Sequence, residues 1–309
     1  MALDDSYLQY LRRRRGMDHD FYEFSLLTER KPVAWPGGAK LALWVNVSLE
    51  HFPLNPAGKP VKLPGNMTMP YPDLRHYTLR DYGNRVGIYR VLDALKAYDV
   101  QASFAINAEL VERAPALVQH LLQHGGEWLG HSWNMDSAHA GGLAEADEAA
   151  LIERSLTTLR AASGQPVRGW LSPGKVQSAR TPELLVAHGV DYMADWVNDE
   201  LPYRFHALNG SLWNMGLATE IEDRFVILDN QHSEASWAQQ AVDAAEMLLA
   251  EAGEQGGRLL TLSLHPWVIG QPHRIKHLET LLAHLSRLPG VWSAMPGQIL
   301  DAWVAQQAT

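Results

Sequence analysis

The sequence predicts an α/β fold, a distorted (β/α) barrel of about seven parallel strands. Three observations carry that reading. From Lys40 onward, short β-rich runs alternate with longer amphipathic segments, as βα units around a parallel sheet require. Polar, titratable residues stand at the C-terminal end of nearly every strand run, where barrel strands converge on one mouth. The 309 residues fit a single barrel core without forcing a split. Residues 1–37 are therefore expected to form an N-terminal arm and residues 38–309 a single barrel domain.

The arm ends in the breaker Trp35-Pro36-Gly37-Gly38 and should wrap the barrel or a neighbouring copy. The first strand run is LALWVNV, 41–47. Residues 51–84 are rich in Pro and Gly and have little periodicity; so long a loop is expected to be an ordered lid or subunit contact over the mouth. Val86, Tyr89, Leu92 and Leu95 then mark one helix face, followed by the strand run QASFAIN, 101–107. Leu117, Leu121 and Leu122 mark the next helix, which should stop at Gly125 before GEWLGHS, 126–132. Leu151, Leu156 and Leu159 repeat the pattern up to Gly164, and RGWLSPG, 168–174, follows. Gly189 precedes VDYMADW, 190–196. Between Trp196 and Ser236, GSLWNM and RFVILDN read as extra strands or a hairpin. LLTLSLH, 259–265, a helix over 273–288 stopped by Gly290, and VWSAMP, 291–296, complete the series.

A formal charge of −9 argues against a nucleic-acid or anionic-membrane partner. The one basic cluster, Arg12 to Arg15, is balanced by Asp4, Asp5, Asp18 and Asp20. The chain has no cysteine, which excludes disulfides, thiolate zinc sites and cysteine nucleophiles, so any metal must be held by His, Asp or Glu. No apolar run reads as a signal peptide or a membrane span. The expectation is a soluble cytoplasmic protein, and the resemblance described below implies a homo-oligomer acting on a small molecule.

The strand-end residues are Ser48, Glu50 and His51 after the first run, Asn107 after the second, His131 after the third and Ser172 after the fourth. Asp195 and Asp199 follow the fifth, and His265 closes the sixth. Singly, each could be a cap or a hydrogen-bonded core residue; together they predict a site. His120, His124, His139, His273, His277 and His284 fall on loops or helix faces, where solvated or packing roles are expected. Trp133 and Trp267, each two residues past a strand-end histidine, could wall a pocket or pack the core. The stretch GHSWNMDSAH, 130–139, poses a specific problem. A helix-borne metal pair wants a second histidine four residues after His131, and Met135 stands there.

The order of these pieces resembles the polysaccharide deacetylase superfamily from about Lys40 to Trp303, and within it the metal-independent allantoinase branch. Asp81-Tyr82-Gly83-Asn84-Arg85-Val86-Gly87 is similar to that branch's YG-x-R-x-G element. Leu201-Pro202-Tyr203 after Asp199-Glu200 resembles its acidic LPY element, and Leu264-His265 with Val268-x-Gly270-x-Pro272 its last motif. The departures from the deacetylases are as telling. Leu49 and Glu50 stand where those enzymes carry an Asp-Asp pair, His131-Ser132-Trp133-Asn134-Met135 keeps one ligand of their H-[ST]-x-x-H motif, and Leu171 stands at their arginine. The resemblance therefore implies a hydrolase of non-peptide C–N bonds, acting without metal on a cyclic ureide or imide.

Such a reaction needs a base for water, donors for the oxyanion and an acid for the leaving nitrogen. His131, with Glu50 as its orienting partner, is assigned to water activation and His265 to protonating the leaving nitrogen, although the swapped roles suit the sequence equally. Asn107, Trp133, Asp199 and Tyr203 are expected to contact substrate, and Arg85 to anchor a carbonyl or carboxylate. Two alternatives stay open. One is a zinc-dependent deacetylase with the metal on Glu50, His131 and His265; the other is a noncatalytic relative that binds a ligand without turnover.

Overall fold

The structure, a computed structural model, describes residue 17 and residues 19–57, 72–139 and 142–307. Its strands are β1 (Leu41–Leu49), β2 (Ala102–Ile106), β3 (Glu127–Gly130), β4 (Gly169–Trp170), β5 (Tyr192–Met193), β6 (Tyr203–Ala207), β7 (Gly210–Asn214), β8 (Arg258–Leu264) and β9 (Val291–Ser293). They form one curled sheet in the order β6-β7-β5-β4-β3-β2-β1-β8, with β9 beside the first residues of β1. Every pairing is parallel except the β6–β7 hairpin. All seven sequence-predicted runs contain a strand. The hairpin, however, is built from Tyr203–Ala207 and Gly210–Asn214, whereas RFVILDN forms the π-helical turn Phe225–Asp229. A short apolar run does not reveal its period, and here the pairing decided it.

The sheet does not close by a ladder between β7 and β8. Thr261 bridges that seam instead, accepting from Ala218 N–H at 2.9 Å and donating to the Gly216 carbonyl at 3.3 Å. The outer layer holds helices α1 (Leu74–Tyr82), α2 (Ile88–Ala97), α3 (Glu109–Arg113), α4 (Pro115–His124), α5 (Glu145–Ser163), α6 (Thr181–Ala187), α7 (Glu234–Gln255), α8 (Ile275–Leu285) and α9 (Pro296–Gln307). The helix over 145–163 ends as its sequence requires: Gly164 adopts φ +68° and its N–H returns to the Arg160 carbonyl. No helix among the described residues is long and apolar enough to cross a membrane.

The arm, from His19 to Gly38, lies on the barrel's own sheet. His206 N–H donates to the Phe21 carbonyl at 2.6 Å, Phe21 stacks on Phe205, and Trp35 donates its indole N–H to the Arg258 carbonyl at 2.7 Å. This covers the β6 edge, which would otherwise present unpaired backbone groups. The Arg12 to Arg15 cluster, and residues 58–71 of the expected lid, lie outside the described residues.

Candidate active site

Strand alternation decides which side chains reach the mouth. Along β1, Leu41, Leu43, Val45, Val47 and Leu49 belong to the core under the helices, while Ala42 and Trp44 belong to the core inside the curl. Successive side chains point to opposite faces, so Asn46, Ser48 and Glu50 continue the inner row up to the mouth. The same alternation puts Leu260, Leu262 and Leu264 outside and sends His265 inward, puts Phe104 and Ile106 outside and sends Asn107 inward, and sends His131 inward beyond Leu129. Four separate strands thus deliver Glu50, Asn107, His131 and His265 to one place.

His131 is 2% exposed. Its Nδ1 lies 2.6 Å from the Leu171 carbonyl, which can only accept, so Nδ1 carries the proton and Nε2 the lone pair. Nε2 is buried with no hydrogen-bond partner in the protein. Burial lowers the imidazole's pKa and outweighs the nearby Glu50 charge, so His131 is neutral at pH 7. The residue that orients it is therefore Leu171, not Glu50 as the sequence suggested. Leu171, at the place of the deacetylases' arginine, serves through its backbone.

His265 is the opposite case. Its Nδ1 is 2.7 Å from Asp223 Oδ1, and its backbone N–H donates to Asp223 Oδ2 at 2.8 Å. Burial pushes its pKa down, but Asp223, Glu50 and Glu222 together hold it up at about 9. Its Nε2–H points between Glu50 Oε1 at 3.8 Å and Glu222 Oε1 at 3.9 Å. Both distances are too long for a hydrogen bond, which leaves that proton available for water or substrate. Glu50 is fixed from two sides: Trp267 donates its indole N–H to Oε2 at 3.1 Å, and Asn84 donates to its carbonyl at 2.7 Å.

Sequence reasoning missed Asp223, Glu222, Arg224 and Lys175. Glu222 holds Lys175 Nζ at 3.2 Å and Arg224 Nε at 3.0 Å, so its charge is compensated beside His265. Glu222, Asp223 and Arg224 lie in the irregular stretch after β7, and Lys175 in the turn Pro173–Lys175 after β4; an acidic pair in a loop carries no local mark of its partner.

Not all the sequence candidates converge. Asn107 is scaffolding: it accepts from His51 N–H at 2.7 Å and donates to the His131 carbonyl. Trp133 packs in the outer core with Arg154 stacked 3.3 Å from its ring centroid. Arg85 is exposed and pairs with Asp81 at 3.5 Å. Asp199 is clamped by both terminal nitrogens of Arg30, at 2.8 and 2.7 Å. It lines a separate cavity of about 640 Å³ at the seam, beside the first residues of β8 and away from His265 at its end. Tyr203 donates to Asn198 at 2.8 Å and packs against Tyr22 of the arm. Asp195 does reach the mouth, its carboxyl pushed up to about 6 by burial, but it is engaged by Ser172 N–H at 2.7 Å. His139 has the expected packing role, fully buried between Ser132 Oγ at 2.8 Å and Glu148 at 3.3 Å.

Residues 76–193 match the family model for polysaccharide deacetylase. A Schizosaccharomyces pombe protein provisionally named a polysaccharide deacetylase is 25% identical over 307 residues, covering 89% of this chain and 95% of that one. Among solved structures, Puue allantoinase superposes with a TM-score of 0.82 at 22% identity, over 97% of this chain and 99% of that one. A probable polysaccharide deacetylase from Pseudomonas aeruginosa PAO1 gives 0.80 at 22% identity, over 89% and 94%. At that identity the superpositions establish the fold: a curled, mostly parallel sheet of the polysaccharide deacetylase type.

The deacetylase motifs raise the question of metal, and the donor chemistry answers it. Of the expected ligand positions, Glu50 and His131 are present, but Met135 replaces the second histidine, its backbone N–H bonded to the His51 carbonyl. A thioether is a poor zinc donor. His265 has its Nδ1 on Asp223 and turns only Nε2 toward the site. Among the described residues, no three His, Asp or Glu side chains are grouped to hold a metal ion. With a thioether where a second histidine would be needed, these donors do not fit zinc.

Proposed function

We propose that this superfamily hydrolase cleaves the C–N bond of a small amide, a cyclic ureide or imide, by paired histidines without a metal. One observation carries the reading: a neutral imidazole with a free lone pair and a protonated imidazole with a free N–H converge beside one carboxylate. His131 Nε2 takes a proton from water, and the hydroxide oxygen bonds to the substrate carbonyl carbon. As the tetrahedral intermediate collapses, the C–N bond breaks and the nitrogen takes the proton of His265 Nε2. The product is a carboxylic acid and a free N–H. Returning the proton from His131 to His265 through solvent completes the cycle. Two tuned histidines do what a metal does elsewhere by lowering the pKa of water. The near full-length likeness to an allantoinase supports a ring ureide as the substrate class.

The test is a screen of allantoin, hydantoin, dihydrouracil, succinimide and N-acetylglucosamine oligomers on purified protein, with bound metal measured in parallel. Ring opening that survives chelator is expected. Activity confined to acetylated sugars, or lost with zinc and restored by it, would overturn the proposal. Ligand binding without turnover would favour the noncatalytic alternative.

A further inference from the structure

The loop leaving β1 and the loop leaving β8 carry Glu50 and His265 on different strands, yet the two side chains must be held a few ångströms apart. Two residues beyond Glu50 is Phe52, and two beyond His265 is Trp267. The Arg80 guanidinium lies between them, its central carbon 4.2 Å from the Phe52 ring centroid and 4.6 Å from that of Trp267. Arg80 is only 5% exposed, and its NH1 donates to the His76 carbonyl at 3.3 Å. On its other side the Trp267 indole donates to Glu50 Oε2 at 3.1 Å, and its ring stands edge-on to His265, centroids 6.2 Å apart.

The helix bearing Arg80 is built to sit this close. It passes through a π turn at Gly83–Gly87, a local widening of the helix often found at functional sites. A Cβ at Gly83 would meet Trp267 N at 2.7 Å, and one at Gly87 would collide with the Pro266 carbonyl oxygen. The next helix turn continues the clamp, Arg90 donating to the Gly270 carbonyl at 2.9 Å.

We propose that Arg80 is a positioning residue that staples the Phe52 and Trp267 loops together and thereby sets the separation of Glu50 from His265. A flat, delocalised cation can stack on two rings at once, which the point charge of a lysine cannot do. The staple acts through the Trp267 indole, which fixes the Glu50 carboxylate, and through the chain that ends in His265.

The proposal rests on the catalytic reading above, so one readout must be independent of turnover. In Arg80→Met, which keeps bulk between the rings, and in Arg80→Lys, which keeps the charge, kcat should fall about tenfold to a hundredfold with KM changed less than about threefold, as misplacement of a reacting group predicts. Trp267→Phe keeps a ring over Arg80 but loses the bond to Glu50, and it should lower kcat similarly. The independent readout is the titration of the His265 imidazole by NMR, which Asp223, Glu50 and Glu222 hold at about 9 in the parent protein. Its midpoint should drop in all three variants as Glu50 moves away. If no substrate is turned over, the functional reading fails while this midpoint still decides the staple. If Arg80→Met does not fold, Arg80→Lys and Trp267→Phe decide it. A folded Arg80→Met or Arg80→Lys with the midpoint and any measurable kcat unchanged would overturn the proposal.

Discussion

Asp223→Asn separates the charge on His265 from its packing. In the parent protein the carboxylate accepts from both Nδ1 and the backbone N–H of His265, at 2.7 and 2.8 Å, deep inside the site. His265 is thereby held at about 9 despite burial, which alone would push it down. Asparagine has nearly the same volume but one acceptor oxygen, so it can serve only one of those donors, and its charge is gone. The midpoint should fall to the ordinary histidine value of about 6.5 or lower. At pH 8 the protonated fraction then drops from roughly nine-tenths to a few hundredths, so kcat/KM should fall about thirtyfold. At pH 6 most of the difference should vanish. Stability follows the same sign. A folded-state value raised above the unfolded one contributes stability that is complete below about pH 6.5 and lost as pH rises through about 9, a total of about 3 kcal/mol. The parent Tm should decline across that window and the variant's should not, although the variant starts lower by about 1–3 kcal/mol for its unmatched donor. Steady-state kinetics and thermal melts from pH 5 to 10 measure both effects. A folded variant whose alkaline limb stays at about 9 would refute the assignment of His265 as the acid.

The acid limb of kcat/KM should lie below pH 6.5, because burial lowers His131 and activity is lost as its Nε2 becomes protonated; a limb above pH 7 would count against it. His131→Ala should cost about a hundredfold to ten-thousandfold in kcat with the fold intact by circular dichroism. Gly87→Ala should lower stability by about 2–4 kcal/mol in urea melts, because its Cβ would meet a backbone carbonyl that cannot yield. Prolonged dialysis against chelator should leave activity unchanged, and restoration of lost activity by zinc alone would contradict the donor chemistry.

The sequence by itself determined the strand–helix alternation and the strand ends that carry Glu50, His131 and His265. Strand periodicity is local: once β1, β3 and β8 are recognised, the parity of Glu50, His131 and His265 follows, and so does their meeting at one mouth. The loss of the second histidine at Met135 was equally legible, since a side chain's donor chemistry does not depend on its fold. What only the tertiary structure decided was the partner of each group. Leu171 orients His131 through a backbone carbonyl, which no residue type advertises. Asp223 reaches His265 across 42 positions of sequence from a stretch whose apolar run looked like a strand. Arg85 and Arg80 are five residues apart on one helical segment, yet one is exposed and the other is sandwiched behind the site, because five positions at about 100° each set them on different faces. The charge on a buried histidine depends on which dipoles and carboxylates surround it in space, so the division into a neutral His131 and a protonated His265, open in the sequence, was made by packing.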